Sequence, residues 1–265
     1  EEVKREGVDL MIAIDLSNSM LAEDLQPNRL QRAKQSISRL IDRLEGDRIG
    51  LIVFAGDAYV QLPITTDYSA AKLFLSTINT NIVPTQGTAI GNAIALGLKS
   101  FDMENAQSKA IIIITDGENH EDDAIEKASE ANELSVIVHT IGMGSVDGGP
   151  IPLKTRGGRT KEYQKDKQGK TVITKLNEEM LKDISKAGGG SYIRANSTQS
   201  GLNALFKEIN KMEKNEIGSK VFTDYKDRFQ WFLGLSILLL ILDIFVYERK
   251  NKWSNKINLF EEDED

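Results

Sequence analysis

The sequence predicts a doubly wound α/β domain whose mostly parallel sheet has one antiparallel edge strand and flanking helices, followed by a C-terminal transmembrane helix. Three observations predict it: four short apolar runs rich in branched side chains, helical spacing of apolar residues between them, and one long apolar stretch near the C-terminal end. Strands buried on both faces read as near-continuous apolar runs, and their alternation with helices is the pattern of a parallel sheet.

Residues 1–7 are a lead-in, and residues 8–14 (VDLMIAI) are the first strand. Leu30, Ala33, Ile37, Leu40, Ile41 and Leu44 then recur at helical spacing, giving a helix with one apolar face. Residues 48–54 (RIGLIVF) form the second strand. After the turn Ala55-Gly56-Asp57, residues 59–62 return as a hairpin, which puts one antiparallel strand at an edge. Ile90, Ala93, Ile94 and Leu98 mark a second helix and residues 110–115 (AIIIIT) a third central strand. Ala124, Ile125, Ala128 and Ala131 mark another helix, and residues 135–141 (SVIVHTI) the fourth strand. Residues 177–187 form a helix that stops at Gly188-Gly189-Gly190. Residues 191–194 are a short last strand and 198–212 a final helix, closing a domain of residues 8–212.

Residues 145–175 break the alternation. They are rich in Gly, Lys and Arg and contain the turn-like Lys167-Gln168-Gly169-Lys170, so they read as a hairpin excursion. Eight basic residues against three acidic ones could receive an acidic partner, although a solvated loop is the plainer reading. The aromatic interleaving of a nucleic-acid platform is missing.

Beyond a linker at 213–228, residues 229–247 (FQWFLGLSILLLILDIFVY) would extend about 28 Å as a helix, close to the hydrocarbon thickness of a bilayer. The run is apolar on every face with aromatics at both ends, which favours a membrane span over a buried core helix. Asp243 belongs near the interface beside Tyr247 or against another helix, because an acid at the bilayer centre is costly. A polar tail, 248–265, ends in Glu261, Glu262, Asp263, Glu264 and Asp265, which supply five of the seven negative charges in the net of −7. The acidity is a tail property rather than a domain property. Lys214, Lys220, Lys226 and Arg228 precede the span, and the tighter cluster Arg249, Lys250, Lys252 and Lys256 follows it. The positive-inside rule therefore leans to a cytoplasmic tail and an external or periplasmic domain at the bacterial inner membrane. The chain starts at Glu1 without a signal pattern, which reads as a trimmed start. With no cysteine, disulfides, thiolate zinc sites and thiol catalysis are excluded.

Asp15-Leu16-Ser17-Asn18-Ser19 stands where the first strand ends, Asp116-Gly117 where the third central strand ends, and Gly87-Thr88 where a helix opens. Open α/β sheets place their ligands at the carboxyl ends of their strands. One Asp-x-Ser-x-Ser after a strand could merely cap a helix. Three segments bringing oxygens to one crevice point instead to a cation site made by Asp15, Ser17, Ser19, Thr88 and Asp116. Carboxylates and hydroxyls without imidazole or thiolate suit a hard divalent ion, Mg²⁺ first, with Mn²⁺ or Ca²⁺ as alternatives. If Asp15 and Asp116 act partly through water, the hydroxyls leave the ion much of its charge, and a partner's Asp or Glu could complete the shell.

These residues resemble the metal-ion-dependent adhesion site of von Willebrand factor A domains, an Asp-x-Ser-x-Ser with a distant Thr and a distant Asp, with no part missing. The resemblance spans about residues 8–212 and implies a Rossmann-like sheet and protein binding through the cation. Asp15 to Arg29 (DLSNSMLAEDLQPNR), residues 50–65 (GLIVFAGDAYVQLPIT), 84–88 (PTQGT) and 222–230 (FTDYKDRFQ) also look like the Bat family of bacterial membrane proteins, nearest its BatB-type members. That resemblance implies other Bat-like membrane proteins as partners, with a MoxR-type ATPase in the same system. The family's membrane helices before the A domain are not in this chain.

The expected function is therefore a non-enzymatic, membrane-anchored binding module. A Mg²⁺-dependent hydrolase of the phosphatase kind would also place an Asp after the first strand, but haloacid-dehalogenase-like sites usually carry a second acid where this chain has Ser17. A purely structural cation is a third reading. The glycines at 188–190 lack the lysine and hydroxyl of a phosphate-binding loop. His139, inside a strand run, reads as a satisfied core residue. His120, in an acidic stretch near Asp116, is a weaker candidate for the cation rim.

Overall fold

In the computed structural model, the strands form where the sequence has no polar face to offer water. β1 (Asp9–Asp15), β2 (Arg48–Phe54), β4 (Lys109–Thr115) and β5 (Val136–Gly142) are buried throughout except at Arg48 and Ile137. With β3 (Ala58–Thr65) and β10 (Gly189–Arg194) they make a six-stranded sheet of order β10-β5-β4-β1-β2-β3. All neighbours are parallel except β2 and β3, the antiparallel edge pair. The structure describes residues 7–105, 107–118, 123–154, 160–195, 206–210, 212 and 229–246, and the chain divides into two units, Glu1–Lys220 and Val221–Asp265.

Alternation along each strand divides the core in two. Leu10, Ile12 and Ile14 of β1 pack with Leu30, Ala33, Ile37 and Leu40 of α1 (Arg29–Ile41) and with Ala71 and Leu75 of α2 (Tyr68–Thr77). Met11 and Ala13 pack on the other face, with α3 (Ile90–Ser100), α4 (Ala124–Glu133) and α5 (Glu178–Ala187). Asn28, Asp67 and Asn177 cap α1, α2 and α5, each side chain accepting a hydrogen bond from a first-turn amide.

Two features differ from the sequence reading. α2 carries only Ala71 and Leu75 in the core while Leu73 and Phe74 face outward, so its sequence lacks a clean apolar stripe. The excursion is an outer antiparallel pair, β6 (Gly149–Pro150) with β9 (Ile173–Thr174), enclosing two successive ones, β7 (Pro152–Lys154) with β8 (Thr160–Tyr163) and a bridge from Lys165 to Thr171. The Asp166 carboxylate closes its turn by accepting from the amides of Gln168 (2.9 Å) and Lys170 (2.8 Å), and Gly169 takes the positive φ. Of the glycine run, Gly188 caps α5, and Gly190 lies so close to β5 that a Cβ there would stand 2.2 Å from the Val138 carbonyl oxygen. Those glycines serve strand contact as well as helix termination.

Of the final helix expected at 198–212, residues 206–210 and 212 are helical, and Ile209 and Met212 join the core on the α1 side; the remainder lies outside the described residues. In the second unit, residues Phe229–Val246 are helical. Its side chains are described only at 233–242, and all of these are exposed, Leu233, Leu235 and residues 237–242 among them. Among the described residues no helix is long and apolar enough to cross a membrane. The side chain of Asp243, all of Tyr247, the linker and the tail lie outside the described residues.

Candidate metal centre

The chain leaves β1 for β2 through α1 on one face, and reaches β4 through α3 on the other. Connections that diverge this way open a crevice at the carboxyl ends of β1 and β4, the usual ligand position in open α/β sheets. Asp15 ends β1 there, and Asp116 follows β4. Both are withdrawn from water completely.

The loop after β1 folds tightly around Asp15. Its Oδ1 accepts from the Ser17 amide at 2.8 Å and its Oδ2 from the Thr115 hydroxyl at 2.6 Å. A single 3₁₀ turn, Asn18–Leu21, then brings Ser19 back, so that the hydroxyls of Ser17 and Ser19 lie 2.8 Å apart. The loop before α3 is tied to the same place: the Asn18 amide donates to Gln86 Oε1 (3.0 Å) and the Gly56 amide to the Thr85 carbonyl (3.1 Å). The Ala89 amide also donates to the Ala55 carbonyl at 2.7 Å. Gly56 has no room for a side chain, since a Cβ would sit 2.8 Å from the Gln86 carbonyl oxygen. Thr88, in that loop, is 3% exposed.

Asp116 is held differently. Its Oδ2 accepts from Arg29 Nη1 at 2.7 Å and from the Thr174 hydroxyl at 3.3 Å, and its Oδ1 accepts from the Glu118 amide at 3.2 Å. Arg29, also fully buried, forks onto Asp24 through Nε (2.9 Å) and Nη2 (2.7 Å). Burial opposes the charge on both partners, yet the hydrogen bonds between them hold the Asp24 carboxyl below its ordinary range and push the Arg29 guanidinium above its own. Among the described residues Asp15 has no such cation. Burial first, and then the charge of Asp116, push its carboxyl up to about 7 against the hydrogen bonds from Thr115 and Ser17.

The donor set fits a hard divalent cation. Around Asp15 stand neutral hydroxyls, while Asp116 is ion-paired with Arg29, a guanidinium it shares with Asp24; an added cation would offset the negative charge left on the buried pair of Asp15 and Asp116. Among the described residues no group of three or more His, Cys, Asp or Glu could hold a metal, so a cation here depends on hydroxyl oxygens. Arg29, Asp24, Thr115 and Thr174 escaped the sequence reading. Arg29 had a signal, because with Ala33, Ser36 and Leu40 it falls on the buried stripe of α1. His139 is buried on β5 and its Nδ1 accepts from the Ser191 amide at 3.1 Å, but Nε2 has no hydrogen-bond partner among the described residues, so it is only half satisfied. His120 lies outside the described residues.

Burial of Asp15 has a consequence for stability. The unfolded carboxyl releases its proton near 3.8, whereas the folded one keeps it up to about 7. The folded state therefore binds more protons in that window, and stability falls as pH rises through it and levels off above. Urea unfolding in EDTA across this range will show that fall, and Asp15→Asn will flatten it; parallel curves for the two proteins would refute the assignment.

A family model described as the von Willebrand factor type A domain matches residues 10–118. Among solved structures, BatB from Bacteroides thetaiotaomicron is 48% identical, with a TM-score of 0.75 over 78% of this chain and 100% of that one. An aerotolerance-related membrane protein from Bacteroides fragilis is 47% identical, with a TM-score of 0.74 over 77% of this chain and 100% of that one. An uncharacterized protein of Borreliella burgdorferi is 31% identical over 92% of this chain and 69% of its own length. The chain spans about two thirds of the length of the curated relatives it matches. With the α/β sheet and its one antiparallel edge pair, these likenesses show that the chain belongs to the von Willebrand factor type A family, among its bacterial BatB-type proteins.

Proposed function

We propose that the chain is a non-enzymatic, membrane-anchored binding module that uses one divalent cation, Mg²⁺ in the first place, to recruit an acidic residue of a partner protein. Asp15, Ser17, Ser19 and Thr88 would hold the ion directly and Asp116 through water. The observation that carries this reading is the unequal fate of two buried acids. Asp116 is bound to Arg29, while Asp15 stands among neutral hydroxyls with no cation beside it among the described residues. An ion held by one anionic ligand and several neutral ones keeps most of its charge, and a carboxylate from outside is the natural last ligand.

At the residue two beyond Asp15, where the hydrolase reading wants an acid, stands Ser17, its hydroxyl engaged with Ser19 at 2.8 Å. The residues present can bind and orient a carboxylate at the ion, and the ion supplies electrostatic attraction rather than a reagent. The partner fits the class of other Bat-like membrane proteins, with a MoxR-type ATPase acting on the assembly. Anchoring is supported by the 19-residue apolar run at 229–247 in the sequence, of which the helix Phe229–Val246 is part, and by the relative named as a membrane protein. The basic cluster after that helix favours a periplasmic domain and a cytoplasmic tail.

Two measurements test this. Native complexes captured from detergent-solubilised membranes in Mg²⁺ will dissociate in EDTA, and Thr88→Ala will capture about tenfold less at equal fold stability; capture indifferent to EDTA would contradict the cation bridge. In a flotation assay the whole chain will rise with lipid vesicles and a chain ending at Lys220 will stay behind. Equal flotation of both would remove the helix as the anchor.

A further inference from the structure

The five N–H donors of a guanidinium lie in one rigid plane. At Arg29 every one is used: Nε and Nη2 on Asp24, Nη1 on Asp116 Oδ2 (2.7 Å) and Thr174 Oγ1 (3.0 Å), and Nη2 on the Thr174 carbonyl (3.1 Å). Asp24 and Arg29 belong to the stretch after β1, Asp116 follows β4, and Thr174 closes the excursion in β9. One side chain thus ties the cation crevice to the base of the 145–175 excursion.

Both ends of that base are fastened to the same cluster. At the entry, the Ser145 amide donates to Asp24 Oδ2 at 2.8 Å, and Gly144, at φ +132°, lies so near the guanidinium that a Cβ would stand 2.8 Å from Arg29 Cζ. At the exit, the Lys175 amide donates to Glu118 Oε1 (2.8 Å) and the Asn177 amide to the Asp116 carbonyl (2.8 Å). Farther out, Lys165, Lys167 and Lys170 are exposed. The base of the excursion is therefore bonded to Asp116 directly, and through Arg29 and Asp24 to the stretch after β1.

We infer that Arg29 is a positioning residue that makes cation binding and docking of the excursion a single equilibrium. This rests on the cation reading above. Because the donors share one plane and all are occupied, Asp116 cannot shift toward or away from an ion without pulling Nη1, and Nη1 cannot move without disturbing Thr174. Linkage then works in both directions: an ion that fixes Asp116 fixes the excursion base, and a loosened base weakens the hold on the ion. A partner's acid at the ion and the lysines of the excursion would accordingly be presented together.

Manganese ion alone serves as the probe, with affinity read by calorimetry and backbone order by amide hydrogen exchange on the whole chain. Mn²⁺ will slow exchange in peptides covering 143–150 and 172–178 as well as in those covering 15–20 and 85–89. Arg29→Lys keeps the charge but not the fork, and will bind Mn²⁺ about tenfold more weakly without protecting the two excursion peptides. Thr174→Val removes one hydroxyl at nearly constant volume and will bind about fivefold more weakly, again with excursion protection lost; it decides the matter if Arg29→Lys does not fold. Mn²⁺ that binds the unaltered chain yet leaves the excursion's exchange unchanged, or binds both variants with undiminished affinity, overturns the coupling. Absence of Mn²⁺ binding by the unaltered chain overturns the cation reading itself.

Discussion

Two fully buried carboxylates, Asp15 and Asp116, stand at the ends of the adjacent parallel strands β1 and β4, and the surrounding structure is arranged to make that tolerable. Buried charge is stable only where it is paired and hydrogen-bonded. For Asp116 the chain itself supplies the counter-charge, from Arg29 at the start of α1. For Asp15 it supplies hydrogen-bond donors and no cation, so the carboxyl holds its proton up to about 7. The asymmetry leaves one anionic position open to an ion at neutral pH.

The sheet makes the asymmetry possible. The strand order places β1 and β4 side by side, and the reversal of winding between them parts the connecting loops. α1 lies on one face, where its first residue, Arg29, reaches the crevice from behind, while the loop carrying Thr88 approaches along the connection to α3 on the other face. A helix, two strand ends and the excursion thus converge on a volume that no single segment could build.

Much of this was legible in the sequence because burial on both faces leaves a simple trace. Residues 48–54, 110–115 and their companions are continuous apolar runs, and the hairpin turn at Ala55-Gly56-Asp57 identified the antiparallel edge. α2 was not legible, since Leu73 and Phe74 face outward and blur its periodicity. Among the residues of the proposed site, Asp15, Ser17, Ser19 and Asp116 could be singled out by residue type and by position after strands, and Thr88 by its place before a helix. Arg29 could not be paired with Asp116 from sequence, because 87 residues separate them and only the fold says which buried charge meets which. The contacts of Thr115 and Thr174 were hidden for the same reason: a hydroxyl in a strand gives no sign of the group it faces.

A protein that leaves one acid among neutral oxygens and pairs the other with a guanidinium is, on the proposed reading, suited to present a cation rather than to bury one. That view is tested most directly by the anomalous difference map of a crystal soaked in Mn²⁺. It predicts a single peak among the side-chain oxygens of Asp15, Ser17, Ser19 and Thr88, with Arg29 still on Asp116. A peak at any other place, no peak at all, or Asp116 freed from Arg29 and bound directly to the ion would contradict it.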